Sequence, residues 1–178
     1  YALAAVLLSP FFVFKLEIDP DPASTTPRPL NPHELATRLS YALWSSMPDD
    51  TLFAAADAGQ HESDEQVTAQ IDRMLADARA EALLDTFAAR WLEYGHLDTH
   101  EVEATAYPRF TPALAQSMQR EARRFVQEFL SSPLPVNDML NARFTFVDSA
   151  LATHYGLPVA GAGAAGQLTR VDTSSAPR

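Results

Sequence analysis

Apolar residues recur along this chain three or four positions apart in one segment after another, which is the spacing of amphipathic helices. The clearest segment covers residues 31–50, NPHELATRLSYALWSSMPDD. Asn31 and Glu34 give it a capping-box-like start, Met47 and Pro48 end it, and Asp49 or Asp50 caps the next helix. The residues expected to face inward are Leu35, Leu39, Ala42, Leu43 and Ser46.

The later helices are also bounded by caps and by glycine or proline. Starts are predicted at Ser63 with Gln66, Thr111 with Pro112, and Asp148, and stops at Gly59, Gly95, Ser132-Pro133 and Gly156. A helix over residues 78–94 is expected to pack one stripe inward, formed by Leu84, Phe87, Ala88, Trp91 and Leu92. A short helical turn is expected at residues 136–140.

Sustained alternation of period two is missing from the sequence, and residues 143–147 are the only plausible short strand. The pattern therefore predicts an all-α fold. We expect an irregular multi-helix bundle of about six to eight short, capped helices.

The pattern also divides the chain. Residues 1–17 are apolar but contain Pro10 and fall short of the roughly 20 apolar residues of a membrane span, so a buried helix ending a preceding domain is expected. The proline-rich residues 18–31 are predicted to be a linker, residues 32–158 the helical domain, and residues 159–178 a glycine- and alanine-rich linker toward a following domain. The start at Tyr1 rather than Met indicates a piece of a longer protein.

Composition and charge argue against several kinds of partner and site. The 178 residues are 47% hydrophobic, and 13 basic against 23 acidic residues give a net charge of −10, which disfavours nucleic acid and anionic membranes as partners. Because cysteine is absent, the chain has no thiolate nucleophile, no cysteine zinc site and no Cys-x-x-Cys-His haem attachment.

Several strings resemble a known family. The string ELATRLSYALWSSMPDD at residues 34–50 is similar to the opening motif of the fourth planctomycete-specific domain, a helical domain of unknown function. Shorter similarities run from Arg73 to Arg79, from Phe87 to Leu92, and from Phe144 to Gly156, while Leu8 to Phe12 and Glu17 resemble the end of the domain that usually precedes it. Ala42 departs from the family, which usually has an aromatic residue there.

The resemblance implies a context rather than a reaction. Such domains occur in large exported proteins beside domains of c-type cytochrome character, so a periplasmic or cell-surface location is implied. Haem c is implied in adjoining domains and no cofactor within these residues. The implied partners are those adjoining domains of the same polypeptide. The family brings no established functional residues.

Individual residues give weak chemical signals. The five histidines form no ligand pair at helical spacing, so no metal site is expected. His154, near a helix end, is interpreted as a capping residue or, alternatively, as a haem-iron ligand or its neighbour, with Met47 as a second candidate ligand or wall. His96 and His100 lie in an acidic loop that is expected to be solvated.

Other candidates have structural explanations. Asp49 and Asp50 are interpreted as helix caps, Trp44 and Trp91 as core residues, and Arg38 as the partner of a carboxylate, such as Glu34 or Asp85. Catalytic residues stay unknown, and no catalytic activity is expected of these residues alone.

Three hypotheses remain. The favoured one is a non-catalytic helical module that spaces, docks or shields cytochrome domains of an exported protein. The first alternative is a contribution to a haem-dependent oxidoreductase site completed by neighbouring domains. The second alternative is glycan binding, which requires Tyr41, Trp44 or Tyr107 to line an open groove.

Overall fold

The fold was analysed in a computed structural model that describes residues 1–61, 63–158 and 162–174. The chain forms two compact units, Tyr1–Met74 and Leu75–Arg178. Within the described residues no helix is both long and apolar enough to span a bilayer.

The first unit contains helices α1 to α5, whose ranges are Ala2–Leu7, Pro10–Val13, Pro32–Trp44, Asp50–Asp57 and Asp64–Leu75. The last of these ends at the first residue of the second unit. The capping box of α3 is confirmed, because the Asn31 side chain accepts from the Glu34 amide and the Glu34 carboxylate accepts from the Asn31 amide, both at 2.9 Å. The helix ends at Trp44, since Ser45 adopts a left-handed φ of 52°.

The buried face of α3 differs from the predicted stripe. Ala36, Ser40 and Trp44 are buried, while Ala42 and Ser46 are exposed. Trp44 is 3% exposed and its indole N–H donates to the carbonyl of Met74 at 2.9 Å. Burying the largest side chain of the helix, with its polar atom satisfied, requires a different rotation from the one that buries the leucines.

Asp49 joins the start of α4 to the end of α5. Its carboxylate accepts from the Leu52 amide at 2.9 Å and forms a bidentate pair with Arg73 at 2.9 and 3.1 Å. The Arg73 guanidinium also lies over the Trp44 ring, 5.5 Å from its centroid. The interpretation of Asp49 as a helix cap is confirmed.

The prediction that the apolar N-terminal residues form a buried helix is wrong. Every residue of α1 and α2 is exposed or nearly so, including Leu3, Leu8, Phe11 and Phe12. No other helix of the first unit covers these apolar side chains.

Arg38 also pairs differently from the prediction. Its guanidinium contacts Glu17 at 2.5 and 2.6 Å, so the carboxylate comes from the irregular stretch before α3 and not from Glu34 or Asp85. Glu34 instead accepts two hydrogen bonds from Arg28, both at 2.8 Å.

In the second unit, the helix predicted over residues 78–94 is broken into four pieces. A 3₁₀ turn at Ala78–Glu81 leads to a π-helical turn at Leu84–Ala88, then to α6 at Ala89–Trp91 and a 3₁₀ turn at Tyr94–His96. A π-turn holds more residues than an α-turn and shifts the helix face. Leu84 and Ala88 are therefore buried as predicted, whereas Phe87, Trp91 and Leu92 are exposed.

Helix α7, Pro112–Ser131, is the longest helix of the described residues and contributes to two hydrophobic clusters of this unit. Val126 packs with Leu84, Ala88, Ala89 and Tyr94 in one cluster. Leu114 packs with Val147, Leu151 and Ala152 in the other. A 3₁₀ turn follows α7 at Val136–Leu140, as predicted.

A two-stranded antiparallel sheet corrects the all-α prediction, although the fold is mainly helical. Strand β1, Phe144–Val147, lies within the predicted strand and pairs with β2, Thr169–Asp172, with Phe144 opposite Asp172 and Val147 opposite Thr169. Strand β2 lies within residues 159–178, for which the sequence predicted a linker. Residues 159–161 and 175–178 of this stretch lie outside the described residues.

The last helix, α8, spans Ser149–Tyr155 and begins at Asp148, which is 1% exposed. The Asp148 carboxylate accepts from the Leu151 amide at 3.0 Å, the Gly166 amide at 3.0 Å and the Ser117 hydroxyl at 2.8 Å. One side chain thus joins α8, the segment before β2, and α7.

We expect Asp148→Ala to lower the free energy of unfolding by about 3 kcal/mol, because it removes a helix cap and leaves two amides and a hydroxyl without their acceptor. Thr111→Ala removes the exposed cap of α7 and is the matched control, with an expected loss of about 1 kcal/mol. Urea unfolding followed by circular dichroism measures both. Equal losses would contradict the joining role of Asp148.

The stability that Glu34 contributes at the start of α3 is expected to depend on pH. Hydrogen bonds from Arg28 and from the Asn31 amide lower the pKa of Glu34 from 4.5 to about 2. Because the folded pKa is depressed, this contribution to stability is present above the unfolded pKa and is lost as the pH falls from 4.5 toward 2. We expect Arg28→Ala to raise the pKa of Glu34, measured by NMR titration of its carboxyl carbon; an unchanged pKa would contradict the assignment.

Candidate functional site

The end of α8 carries two adjacent polar side chains with different environments. His154 is exposed, whereas the hydroxyl of Tyr155 reaches back to α7, and the two rings lie 5.5 Å apart between centroids. The helix ends there because Gly156 adopts a left-handed φ of 68°.

His154 lines an open pocket of about 600 Å³ in the second unit. The other lining residues come from the loop before α7, and they are Ala106, Tyr107, Pro108, Arg109 and Phe110. Two consecutive turns shape this loop: the Glu103 carbonyl accepts from the Tyr107 amide at 2.9 Å, and the Tyr107 carbonyl accepts from the Phe110 amide at 3.0 Å. We call this feature the His154 pocket.

A half-buried carboxyl group lies at the other side of Tyr155. Glu121 on α7 accepts hydrogen bonds from the Tyr155 hydroxyl at 2.6 Å and from the Thr145 hydroxyl of β1. Burial raises the pKa of Glu121, the two hydroxyl groups oppose this effect, and the nearby charge of Asp148 adds to it. Burial and the bond to Glu121 likewise raise the pKa of Tyr155.

The pKa values of the two carboxyl groups in this region, Glu121 and Asp148, are shifted in opposite directions. Burial is the largest influence on Asp148 and acts to raise its pKa, but hydrogen bonds from the Leu151 and Gly166 amides and from Ser117 outweigh it and leave the pKa lowered. The hydrogen bonds thus favour the charged form of Asp148, whereas burial favours the protonated form of Glu121.

No hydrogen bond from another described residue orients the ring of His154. A histidine that ligates a metal usually donates its second ring N–H to a carbonyl or carboxylate, which fixes the ring. Within the described parts of the chain His154 contacts the Tyr155 ring and forms no such hydrogen bond. The haem role of His154 and the neighbouring role of Met47, which is exposed, stay predictions.

The other candidate residues are dispersed. His96 and His100 are exposed, and residues 1–61, 63–158 and 162–174 hold no group of three or more metal-binding side chains. Of the three aromatic residues considered for glycan binding, Trp44 is buried. The Lys15 ammonium lies over Tyr41, 4.2 Å from the centroid of the tyrosine ring. Tyr107 is 63% exposed and lines the His154 pocket.

A second surface of the same unit is an apolar groove of about 190 Å³. All of its lining residues are apolar, and they are Leu83, Phe87, Ala88, Trp91, Val126, Phe129, Leu130, Val136 and Met139. Phe87 and Trp91 stack at 5.7 Å between centroids and remain 60% and 56% exposed. The sequence placed both in the core, and only the π-turn at Leu84–Ala88 brings them to the surface. We call this feature the Phe87-Trp91 groove.

The described residues thus form a mainly helical fold with a small two-stranded sheet, and its second unit contains the His154 pocket and the Phe87-Trp91 groove. The family described as PSD4, Protein of unknown function (DUF1592), matches residues 30–157, and the chain belongs to this family. The match includes helices α3 to α8, the groove and His154. Neither the curated proteins nor the solved structures gave a significant match to the chain.

Glu121 provides a test of the polar network. Because its folded pKa is raised, the proton-bound form stabilises the fold below the unfolded pKa, and this contribution is lost as the pH rises through the folded pKa. We expect Glu121→Gln to gain stability relative to the parent protein as the pH rises from 4 to 7, since glutamine stays neutral.

Glu128→Gln is the control on the same helix. Glu128 forms an ion pair with Arg124 at 3.0 Å, so its replacement should lower stability slightly at pH 7. Thermal unfolding of both variants at pH 4 and pH 7 gives the comparison. A Glu121→Gln variant that loses stability relative to the parent as the pH rises would disprove the raised pKa.

Proposed function

We propose that this chain is a helical docking module of a larger exported protein, whose Phe87-Trp91 groove packs against an adjoining domain of the same polypeptide. The observation that carries the proposal is the groove itself. A stacked phenylalanine and tryptophan, each more than half exposed, lie over a hollow with an entirely apolar lining.

The exposed apolar surface of the Phe87-Trp91 groove costs free energy in water. Exposed apolar area is unfavourable in water, at roughly 25 cal/mol per Å². Contiguous apolar patches on a protein surface mark interaction sites, and aromatic residues in a pocket are the usual anchors of a protein interface. A core helix of regular α-geometry would have buried Phe87 and Trp91, whereas the π-turn presents them outward.

The charged residues beside the groove suit an interface of this kind. Arg123 pairs with Asp85 at 2.9 Å and with Glu81 at 3.1 Å, and Gln127 donates to Glu81 at 3.3 Å. These residues belong to the same segments as the groove. Because they already satisfy one another, a partner can cover the apolar hollow without having to neutralise them.

We choose the proposed partner from the resemblance of residues 34–50 and 144–156 to the fourth planctomycete-specific domain. Relatives of that kind carry c-type cytochrome domains in exported proteins, so an adjoining cytochrome-like domain is the proposed occupant, and haem c would belong to it. The exposed apolar side chains of α1 and α2 are a further surface of the docking type in the first unit.

The proposal assigns no reaction to the chain. A helical module of this type would act by spacing or shielding its neighbours. A haem-dependent site shared with neighbouring domains stays an alternative, with His154 as its candidate residue. The exposed ring of Tyr107 favours the glycan alternative.

Hydroxyl-radical footprinting tests the docking. Oxidation of Phe87 and Trp91 is compared between this 178-residue chain and the full polypeptide that contains it. We expect both residues to be protected several-fold in the full polypeptide. Tyr107, at similar exposure but outside the groove, is the matched control and should react equally in both.

A charged variant makes the test specific. Trp91→Asp in the full polypeptide should restore the oxidation of Phe87, while Tyr107→Asp should leave Phe87 protected. Repeating the labelling at two protein concentrations separates intramolecular docking from self-association. If Phe87 and Trp91 react equally in the chain and in the full polypeptide, the groove is not a docking site.

A further inference from the structure

The His154 pocket combines two kinds of side chain. Arg109 and His154 are nitrogen-rich groups that can carry positive charge, and Tyr107 and Phe110 are aromatic rings. In the described parts of the chain Arg109 has no hydrogen bond or ion pair, and His154 contacts only the ring of Tyr155. Most other arginines of the chain, such as Arg28, Arg38 and Arg73, are paired with carboxylates.

The charge of the pocket contrasts with that of the protein. The chain has a net charge of −10, yet none of the described lining residues is acidic. Glu103 lies in the same loop, but its carboxylate accepts from the Thr105 hydroxyl at 2.6 Å. An anionic ligand would meet a locally favourable site on a surface that otherwise repels it.

The rings define the rest of the ligand. A guanidinium recognises a carboxylate by two parallel hydrogen bonds, and this requires only a small anion. Tyr107 at 63% exposure offers a broad ring beside it, which a small anion would leave in water. The ligand that uses both features is a carboxylate attached to a ring with an apolar face.

We propose that the His154 pocket binds an acidic sugar, with the carboxylate of a uronic acid residue at Arg109 and His154 and the face of the sugar ring against Tyr107. A volume of about 600 Å³ accommodates more than one sugar ring, and its open shape suits a site within a chain of linked sugars. Phe110 supports the second ring. Tyr155 keeps its hydroxyl on Glu121 and so leaves His154 as the polar group of α8 that faces the ligand.

The site is independent of the docking proposal, because the His154 pocket and the Phe87-Trp91 groove share no lining residue. A failure of one leaves the other unchanged. An exported protein with both features would join a neighbouring domain through one surface and contact acidic polysaccharide through the other.

Isothermal titration calorimetry with defined probes tests the ligand class. Trigalacturonic acid carries both the rings and the carboxylates and is expected to bind saturably. Maltotriose supplies rings without charge, and tricarballylate supplies three carboxylates without a ring, so both should bind at least roughly tenfold more weakly. A tripeptide of glutamate distinguishes an acidic peptide ligand from a sugar.

Variants tie the binding to the pocket. Arg109→Ala should weaken trigalacturonic acid binding roughly tenfold, since it removes a charge-assisted hydrogen-bond pair. Tyr107→Ala should weaken it roughly three- to tenfold through lost ring contact. Arg90→Ala removes the same charge from an exposed arginine outside the pocket and should leave the affinity unchanged. Circular dichroism confirms that each variant is folded.

Three results would overturn the proposal. Binding of tricarballylate or of the glutamate tripeptide as tight as that of trigalacturonic acid would show that the rings contribute nothing. An equal loss of affinity in Arg90→Ala would show general electrostatic attraction. No saturable binding of trigalacturonic acid to the parent protein would exclude the site itself.

Discussion

A buried carboxylate at the end of β1 determines how the second unit is assembled. Asp148 is almost inaccessible to water, and its charge is balanced by two backbone amides and a hydroxyl rather than by a close ion pair. Arg120 lies 3.7 Å away and reaches it mainly through Ser117, to which it donates at 2.9 Å. Burying this charge is tolerable only while α7, α8 and the segment before β2 all supply their donors. The carboxylate therefore fixes the positions of three elements relative to one another.

The first unit uses a capping aspartate in a similar way. Asp49 begins α4 and holds Arg73 near the end of α5, while Arg73 lies over the ring of the buried Trp44. Short helices are marginal by themselves, because each leaves several amides without partners. In this protein the caps that satisfy those amides also contact a second element, so local and tertiary structure stabilise each other.

The two candidate surfaces lie where the regular α-helical structure is interrupted. The Phe87-Trp91 groove lies at a π-turn, where the helix face shifts and two large rings lose their place in the core. The His154 pocket lies where a loop of two turns meets the last turn of α8. It contains Arg109 and His154, neither of which forms a hydrogen bond or ion pair with another described residue. One surface suits an apolar partner and the other an anionic one. The proposed docking and the proposed ligand recognition therefore use separate surfaces of the same unit.

Sequence patterns identified the starts of α3, α4, α5, α7 and α8, the strand β1 and the stop at Gly156, because caps, prolines and glycines act within a few residues of where they stand. Membership of a family of unknown function was also readable from the string at residues 34–50. The pattern could not give the rotation of α3, the π-turn or the second strand. Trp44 selects its helix face through a carbonyl thirty residues away, and β2 is a strand only because β1 pairs with it.

The candidate sites were visible only as isolated residues. His154 and Tyr107 were both named from the sequence, yet nothing in their spacing places them in one pocket with Arg109. Phe87 and Trp91 were assigned to the core, since a period of 3.6 residues is the only geometry that a sequence pattern can assume. The amino-acid sequence by itself determined where the helices begin and which family the chain belongs to, because those signals are local. Only the tertiary structure decided which side chains are buried and which meet at a surface, because burial depends on contacts between residues far apart in the chain.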